Sequence, residues 1–380
     1  MEMETTTAAI GSSKEDRRAS LINSLVGINA ALWLALLGFS FAVGVPAAMR
    51  YEKSSNLTLL DGKLAQDFEK FVTRHHPYRD VSLNSWAALD LKAFGTGKTG
   101  VVVGSEGWMF TSEEFPLPSL REKVLTKNLE QVRTMVEALR RKGIDVLIVP
   151  IPGKAELYSE HVPEHLRGHI FPAAQVTDYL TQHRIPWVPV KDILDRARRD
   201  GKDVFFRSET HWTPEGAQRT AAGVTQWLAA HGKTTWHATP FQVTSAGQKT
   251  LESDLESFIP VRPTYADLLP PAETYTAYQV VRTNASNDAA SLFSDAANPV
   301  ALVGTSYSAD ERWNFTGWLR AMLRTEIDNV SEKAKGPFVP MEKFLAMHDA
   351  GKTSAHLVIW EMPVRSIAID YNPRNGHYAP

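Results

Sequence analysis

The 380-residue chain contains no cysteine. That absence excludes disulfides, thiolate metal sites and a cysteine nucleophile together. It suits an oxidising compartment, where a stray thiol is a liability. The chain also has no excess of positive charge: 41 Lys and Arg stand against 43 Asp and Glu, a formal net charge of −2. With no global basic field to replace phosphate counterions, the composition argues against a general nucleic-acid binder. No glycine-rich loop of the kind that cradles phosphates is present, and no internal repeat. Long apolar runs are missing too, with one exception.

The exception lies near the N-terminus. Ala19 to Met49 carries no charge, and Leu32, Trp33, Leu34, Leu36, Leu37, Phe39 and Phe41 make its centre strongly apolar. About twenty helical residues span a bilayer, so this run is long enough. Lys14, Arg17 and Arg18 precede it. Acidic neighbours count for little in orientation, so the basic cluster is expected to stay cytoplasmic and the rest of the chain to lie outside. A cleaved signal peptide is the competing reading, since Val45 and Ala47 form a small-residue site. The apolar region of a signal is only about 7–15 residues, however, which favours an uncleaved anchor. The expected organisation is a polar, irregular cytoplasmic tail over 1–18, a transmembrane signal-anchor over 19–49, a linker over 50–64 and a globular domain over 65–380. The expected topology is single-pass, with that domain outside the cytoplasm.

Beyond the anchor the pattern is α/β. Val101-Val102-Val103-Gly104 reads as a short strand, and Gly107-Trp108-Met109-Phe110 as a turn into a second. From Thr126 to Lys142 apolar residues recur at three- and four-residue steps, and Gly143 sits where a helix ends. The apolar run from Ile144 to Pro150 has strand length. A helix followed by a buried strand predicts a parallel sheet flanked by helices. A helix over 176–183 and a short strand over 187–190 repeat the unit. Thr213-Pro214-Glu215 begins a helix to about Ala230, with Thr213 as N-cap and Pro214 at the first helical position. Residues 232–297 read as a long excursion facing substrate. Val300 to Val303 is a buried strand, followed by a helix from about Trp313 to Thr325, and His356 to Trp360 is the last strand.

Two segments carry chemistry. Gly304-Thr305-Ser306-Tyr307-Ser308 directly follows an apolar strand, where open α/β sheets bind ligands. A serine on a tight turn there exposes its hydroxyl and gathers backbone N–H groups, although Gly, Ser and Thr are also common turn formers. Ser208-Glu209-Thr210-His211-Trp212-Thr213-Pro214-Glu215-Gly216 places a carboxylate and an imidazole two residues apart before a helix. In extended backbone the two share a side, and a carboxylate that orients an imidazole makes it a general base toward a serine. Most Glu-x-His pairs are a solvated acid beside a packed or capping histidine. The pair His75-His76 resembles a metal site only superficially, since no third ligand has useful spacing and Pro77 breaks any helix there. No metal site is expected.

Taken together, Leu302-Val303-Gly304-Thr305-Ser306-Tyr307-Ser308-Ala309 with Trp313-Asn314-Phe315 resembles the nucleophile block of the periplasmic alginate O-acetyltransferase family, which has an SGNH-hydrolase-like domain. The segment from Glu209 to Gly216 resembles its Asp-x-His-Trp block, with Glu209 in place of aspartate. Gly104–Phe110, Pro150–Lys154 and Trp360–Arg365 match in place and order, so the likeness covers roughly 65 to 370.

The resemblance implies acetyl transfer through an acetyl-serine, by a single-pass protein of the bacterial inner membrane with its catalytic domain, residues 65–380, in the periplasm. Ser306 is then the nucleophile, with Ser308 as alternative, His211 the base and Glu209 its support. Asn314 is a candidate oxyanion donor or a helix cap, and Tyr307 is a further oxyanion or substrate candidate. Lys154 and Arg365 are candidate glycan contacts, and Trp108, Trp212 and Trp313 either stack on sugars or pack in the core. The implied acceptor is an exported polysaccharide such as alginate, cellulose or another exopolysaccharide. No bound cofactor is expected, the acetyl group being delivered by a multispanning MBOAT-type membrane partner and other proteins of an acetylation complex. A carbohydrate acetyl-esterase and an inert scaffold are the competing functions. After Arg365 only about fifteen residues remain, too few for the carbohydrate-binding β-domain that some relatives carry.

Overall fold

The computed structural model describes residues 4–52, 62–234, 236, 238–283 and 298–370. The chain divides into two compact units, Met1–Trp86 and Ala87–Pro380.

In the first unit, helix α1 runs over Glu4–Ala48. It therefore extends back through the tail expected to be irregular. Its Ser24–Pro46 stretch is 23 residues long, apolar enough to cross a membrane and unburied. At 1.5 Å per residue that is about 34 Å, against a hydrocarbon core of about 30 Å. Most of the expected linker, residues 53–61, lies outside the described residues. Helix α2 (Lys63–His75) ends just ahead of Pro77, and α3 (Arg79–Phe94) leads from this unit into the next.

The second unit begins with the antiparallel pair β1 (Val101–Val103) and β2 (Met109–Thr111), Val101 opposite Thr111. Helix α4 (Pro118–Arg141) and strand β3 (Asp145–Ile151) follow, then the single turns α5 (Lys154–Leu157) and α6 (Glu164–Arg167). Helices α7 (Ala174–Gln182), α8 (Val190–Arg199) and α9 (Pro214–Ala230) come next. Thr213 caps α9 as its sequence indicates, its side chain accepting from the Gly216 N–H. The strand expected over 187–190 shrinks to one parallel bridge between Ile148 and Trp187. Pro189 has no N–H to extend the pairing, and Val190 already opens α8.

The excursion is a hairpin, β4 (Phe241–Thr250) and β5 (Thr274–Arg282), whose connection runs over 251–273. Then come β6 (Val300–Val303), the single turn α10 (Ser306–Ala309), α11 (Phe315–Leu323), β7 (Ile327–Asn329), α12 (Phe338–Asp349), β8 (Leu357–Pro363) and α13 (Val364–Ile367). The helix expected from Trp313 is split. A 3₁₀ turn over Glu311–Trp313 ends at Asn314, whose φ of 56° breaks the run before α11.

The central sheet has the order β3-β8-β6-β7 and is parallel throughout. Alternate residues feed two cores. Leu147, Val149, Leu302 and Ile359 belong to one with residues of α8, α9 and α11. Ile148, Ala301, Val303 and Trp360 belong to the other with residues of α4, α7 and α12. Coverage of both faces explains why these strands read as unbroken apolar runs. The C-terminal ends of β6 and β8 open onto one cleft, and the chemistry lies there.

Candidate active site

Strand β6 ends at Gly304, where the chain turns tightly beneath β8. A Cβ on Gly304 would lie 2.4 Å from Glu361 Oε2 and 3.0 Å from Ser308 Oγ. Only glycine lets the backbone pass this close. Glu361 is fully buried near the C-terminal end of β8. It accepts from the Thr305 N–H (2.8 Å), the Thr305 hydroxyl (3.0 Å) and the Ser308 hydroxyl (2.9 Å). Three donors from one turn thus converge on one carboxyl group. Burial pushes its pKa up to about 7, with the Thr305 and Ser308 donors opposing. Ser308 is consumed by this bond and buried, so it is not the free hydroxyl that the alternative assignment required.

Ser306 is half-buried and faces the cleft. Its Oγ lies 2.7 Å from His211 Nε2. His211 Nδ1 lies 2.7 Å from Glu209 Oε1. The carboxylate accepts the Nδ1 proton, which leaves Nε2 as acceptor for the serine O–H. Glu209 and His211 are both buried. Burial lowers the imidazole pKa well below its ordinary range; Asp254 opposes this and Arg365 adds to it. The histidine is therefore neutral at pH 7, the form that accepts a proton. Burial raises the Glu209 pKa, and the Asp254 N–H, Arg312 and Lys154 pull it back.

The strip carrying Glu209 and His211 is irregular backbone, held by side chains from elsewhere in the chain. Lys154 Nζ donates to the carbonyls of Phe206 (3.1 Å), Arg207 (3.0 Å) and Glu209 (2.8 Å). The Tyr307 hydroxyl donates to the Thr210 carbonyl (2.9 Å) and accepts from Arg365 Nη1 (2.9 Å). Glu273 accepts from the Arg207 N–H and from the Ser208 N–H and hydroxyl, and Ser253 donates to the Ser208 carbonyl. The Asp254 N–H donates to Glu209 Oε2 (2.8 Å), and Asp254 Oδ1 accepts from the Thr210 N–H (2.8 Å). Asp254, Glu273 and Glu361 are the site residues that sequence reasoning missed. Glu361 left a signal, a lone charge inside an apolar strand. The other two left none.

The cleft measures about 310 Å³, and its lining includes Thr210, His211, Asp254, Leu255, Ser306 and Arg365. The connection of the β4–β5 excursion reaches it through Asp254, Leu255 and Phe258. Several expected contacts are corrected by burial. Lys154 is fully buried and its ammonium is spent on three carbonyls, so it supports the site and does not meet a glycan. Burial lowers its pKa to about 8, against the pull of Glu114. Trp108, Trp212 and Trp313 are core residues, and Trp212 packs between Tyr307 and Phe315. The Tyr307 ring is wholly buried and its hydroxyl engaged. Asn314 is neither a side-chain cap nor a lining residue: its left-handed backbone directs its Oδ1 to within 2.1 Å of where a Gly317 Cβ would stand. Arg365 lines the cleft, held by Glu113 (3.0 Å) and Tyr307.

Among the described residues, Glu209, His211 and Asp254 form one group with metal-ligand spacing, their ligand atoms within 4.8 Å of one another. Both nitrogens of His211 are already engaged, by Glu209 and Ser306. The trio therefore reads as a hydrogen-bond network.

The geometry has counterparts among known proteins. The sequence model of the SGNH hydrolase-like domain of the acetyltransferase AlgX matches residues 101–364. The chain belongs to this family. That span of the AlgX-type domain contains Glu209, His211 and Ser306. The chain is 36% identical over 352 residues to the probable alginate O-acetylase AlgJ of Pseudomonas aeruginosa, covering 88% of this chain and 86% of that protein. To the AlgJ of Azotobacter vinelandii it is 34% identical over 331 residues, covering 86% and 84%. Among solved structures, the O-acetyltransferase domain of Pseudomonas putida AlgJ superposes with a TM-score of 0.63 at 26% identity, over 73% of this chain and 95% of that domain. The fold is thus that of an SGNH hydrolase-like α/β domain, and the N-terminal unit adds one helix long and apolar enough to span a membrane.

Proposed function

We propose that the protein is a polysaccharide O-acetyltransferase acting through an acetyl-Ser306 intermediate. The observation that carries this reading is the continuous chain Glu209–His211–Ser306, two contacts of 2.7 Å ending on a half-buried hydroxyl in a cleft. As Ser306 Oγ attacks the acetyl carbonyl, its proton passes to His211 Nε2. His211 returns that proton to the departing donor group, leaving acetyl-Ser306. A sugar hydroxyl then gives its proton to His211 as its oxygen attacks the acetyl carbon, and Ser306 leaves and is reprotonated. Glu209 supports the imidazolium formed in each half. The Ser306 N–H, at the open start of α10, has no helical acceptor and is available to the oxyanion.

The relatives named as alginate O-acetylases support an acidic exported polysaccharide of the alginate type as acceptor. The apolar helix and the preceding Lys14, Arg17 and Arg18 support a single-pass inner-membrane protein with its catalytic domain in the periplasm. In that location cytoplasmic acetyl-CoA is out of reach, so the acetyl group comes through a multispanning membrane acyltransferase of the MBOAT class.

The test is acyl trapping on the full chain with an artificial acetyl ester. Acetyl should appear on Ser306, and oligosaccharide should accelerate its loss by carrying it away as an O-acetyl ester. Release as free acetate at a rate indifferent to saccharide would make the protein an esterase. Failure of Ser306 to acylate would leave a scaffold.

A further inference from the structure

A second cleft lies at the opposite end of the sheet. Its lining includes Asp145, the first residue of β3, whereas Ser306 lies three residues beyond Val303, the last residue of β6. The two strands are parallel, and seven residues of β3 alone span about 20 Å. The cleft measures about 630 Å³, within the range of about 300–1,000 Å³ usual for small-ligand sites.

Its lining combines two aromatic surfaces with unpaired cations. Trp187 and Trp227 are both half-buried. Trp187 is fixed by its Nε1–H, which donates to Thr181 Oγ1 (3.1 Å). Trp227 stacks on His231, with ring centroids 3.8 Å apart and planes at 12°. His231 Nδ1 donates to the Trp227 carbonyl (2.7 Å). Arg140 gives one N–H to the Arg184 carbonyl (2.9 Å). Among the described residues, its other N–H groups and the whole guanidinium of Arg184 have no protein acceptor. The one carboxylate in the lining, Asp145, is already paired with Lys233. Arg184 also sits at φ 53°, just past the end of α7, a place where glycine is the usual residue.

Flat aromatic faces match the apolar faces of pyranose rings. Free guanidinium forks match carboxylates in two-point contact. We propose that this cleft is a second glycan site, holding a uronate-bearing stretch of the acceptor polysaccharide away from the reacting centre. The proposal rests on the reading of the acceptor as an acidic polysaccharide. A polymer anchored here stays with the enzyme between transfers, and its effective concentration at Ser306 rises without any added catalytic group.

The experiment titrates the full chain in detergent micelles with a uronate hexasaccharide, following binding by calorimetry. The double variant Arg140→Ala/Arg184→Ala should bind about tenfold or more weakly, having lost two charge-assisted contacts. Acetylation of Ser306 by an artificial ester should change less than about twofold, because neither arginine touches that cleft. A neutral β-1,4-glucan hexasaccharide should bind wild type at least about tenfold more weakly than the uronate. Unchanged uronate affinity in the double variant would overturn the site. Equal affinity for the neutral oligomer, or tighter binding of an oligonucleotide of equal charge, would overturn the ligand class. Loss of uronate binding in the variant, with no acylation of Ser306 even in wild type, would uphold this site and sink the acetyltransfer reading instead.

Discussion

Asp254 holds Glu209 directly and through its neighbour: the Asp254 N–H donates to Glu209 Oε2 at 2.8 Å, and Asp254 Oδ1 accepts from the N–H of the adjacent Thr210 at 2.8 Å. Glu209 Oε2 is the oxygen that His211 leaves free, since the imidazole takes Oε1. The longer side chain of glutamate spans both partners. Asp254→Ala removes the acceptor for Thr210 and loosens the loop that presents the N–H. A fall in kcat of about tenfold is expected, the equivalent of one net hydrogen bond. Asp254→Asn keeps an acceptor and should retain most of the rate. Equal losses in the two variants would show that charge, and not the latch, is what matters.

Glu209 itself should show a graded response. Glu209→Gln leaves a neutral amide that cannot stabilise imidazolium, and the acylation rate should fall at least about a hundredfold. Glu209→Asp restores the residue of the family pattern. Its shorter carboxylate reaches His211 or the Asp254 N–H, but not both without backbone movement. We expect an intermediate loss of about tenfold, recorded as single-turnover acylation. Full activity in Glu209→Gln would mean that His211 is oriented by something else.

Ser306 and Ser308 are two residues apart and have opposite surroundings. Ser306→Ala should remove acetyl transfer by about a thousandfold or more while leaving the fold intact. His211→Ala should do the same. In Ser308→Ala one donor to buried Glu361 is lost, which costs about 1 kcal/mol of stability and only a small part of the rate. Mass spectrometry of the trapped acyl-enzyme, combined with thermal melts, separates the two effects. A dead Ser308 variant beside an active Ser306 variant would exchange their roles.

The pH behaviour has two parts of different sign. His211 must be neutral to act, and its pKa is lowered from 6.5 by burial. Its acid limb in acylation should therefore lie below pH 6.5, and a limb at or above that value would contradict the burial argument. Glu361 is the reverse case, raised from 4.5 to about 7 by burial. A carboxyl group with a raised folded pKa adds stability that is fully present below pH 4.5 and is lost as pH rises through about 7. Melting temperatures of Glu361→Gln against wild type should show this slope removed across that window.

The sequence by itself determined the local features of this protein. Apolar runs marked the strands because both faces of the sheet are covered. Thr213 and Pro214 marked the start of α9 because capping is a matter of adjacent residues. The 23-residue apolar helix was legible because hydropathy needs no partner. Glu209 and His211 stood out together because they are two apart. Tertiary structure alone decided what depends on distant pairs. Ser306 meets His211 across 95 residues, Asp254 meets Glu209 across 45, and Glu361 meets Thr305 across 56. A buried Lys154 and an exposed one look alike in sequence, and so do a tryptophan in the core and one on a glycan platform. Their roles are set by which elements pack over them, a long-range outcome that no local pattern encodes.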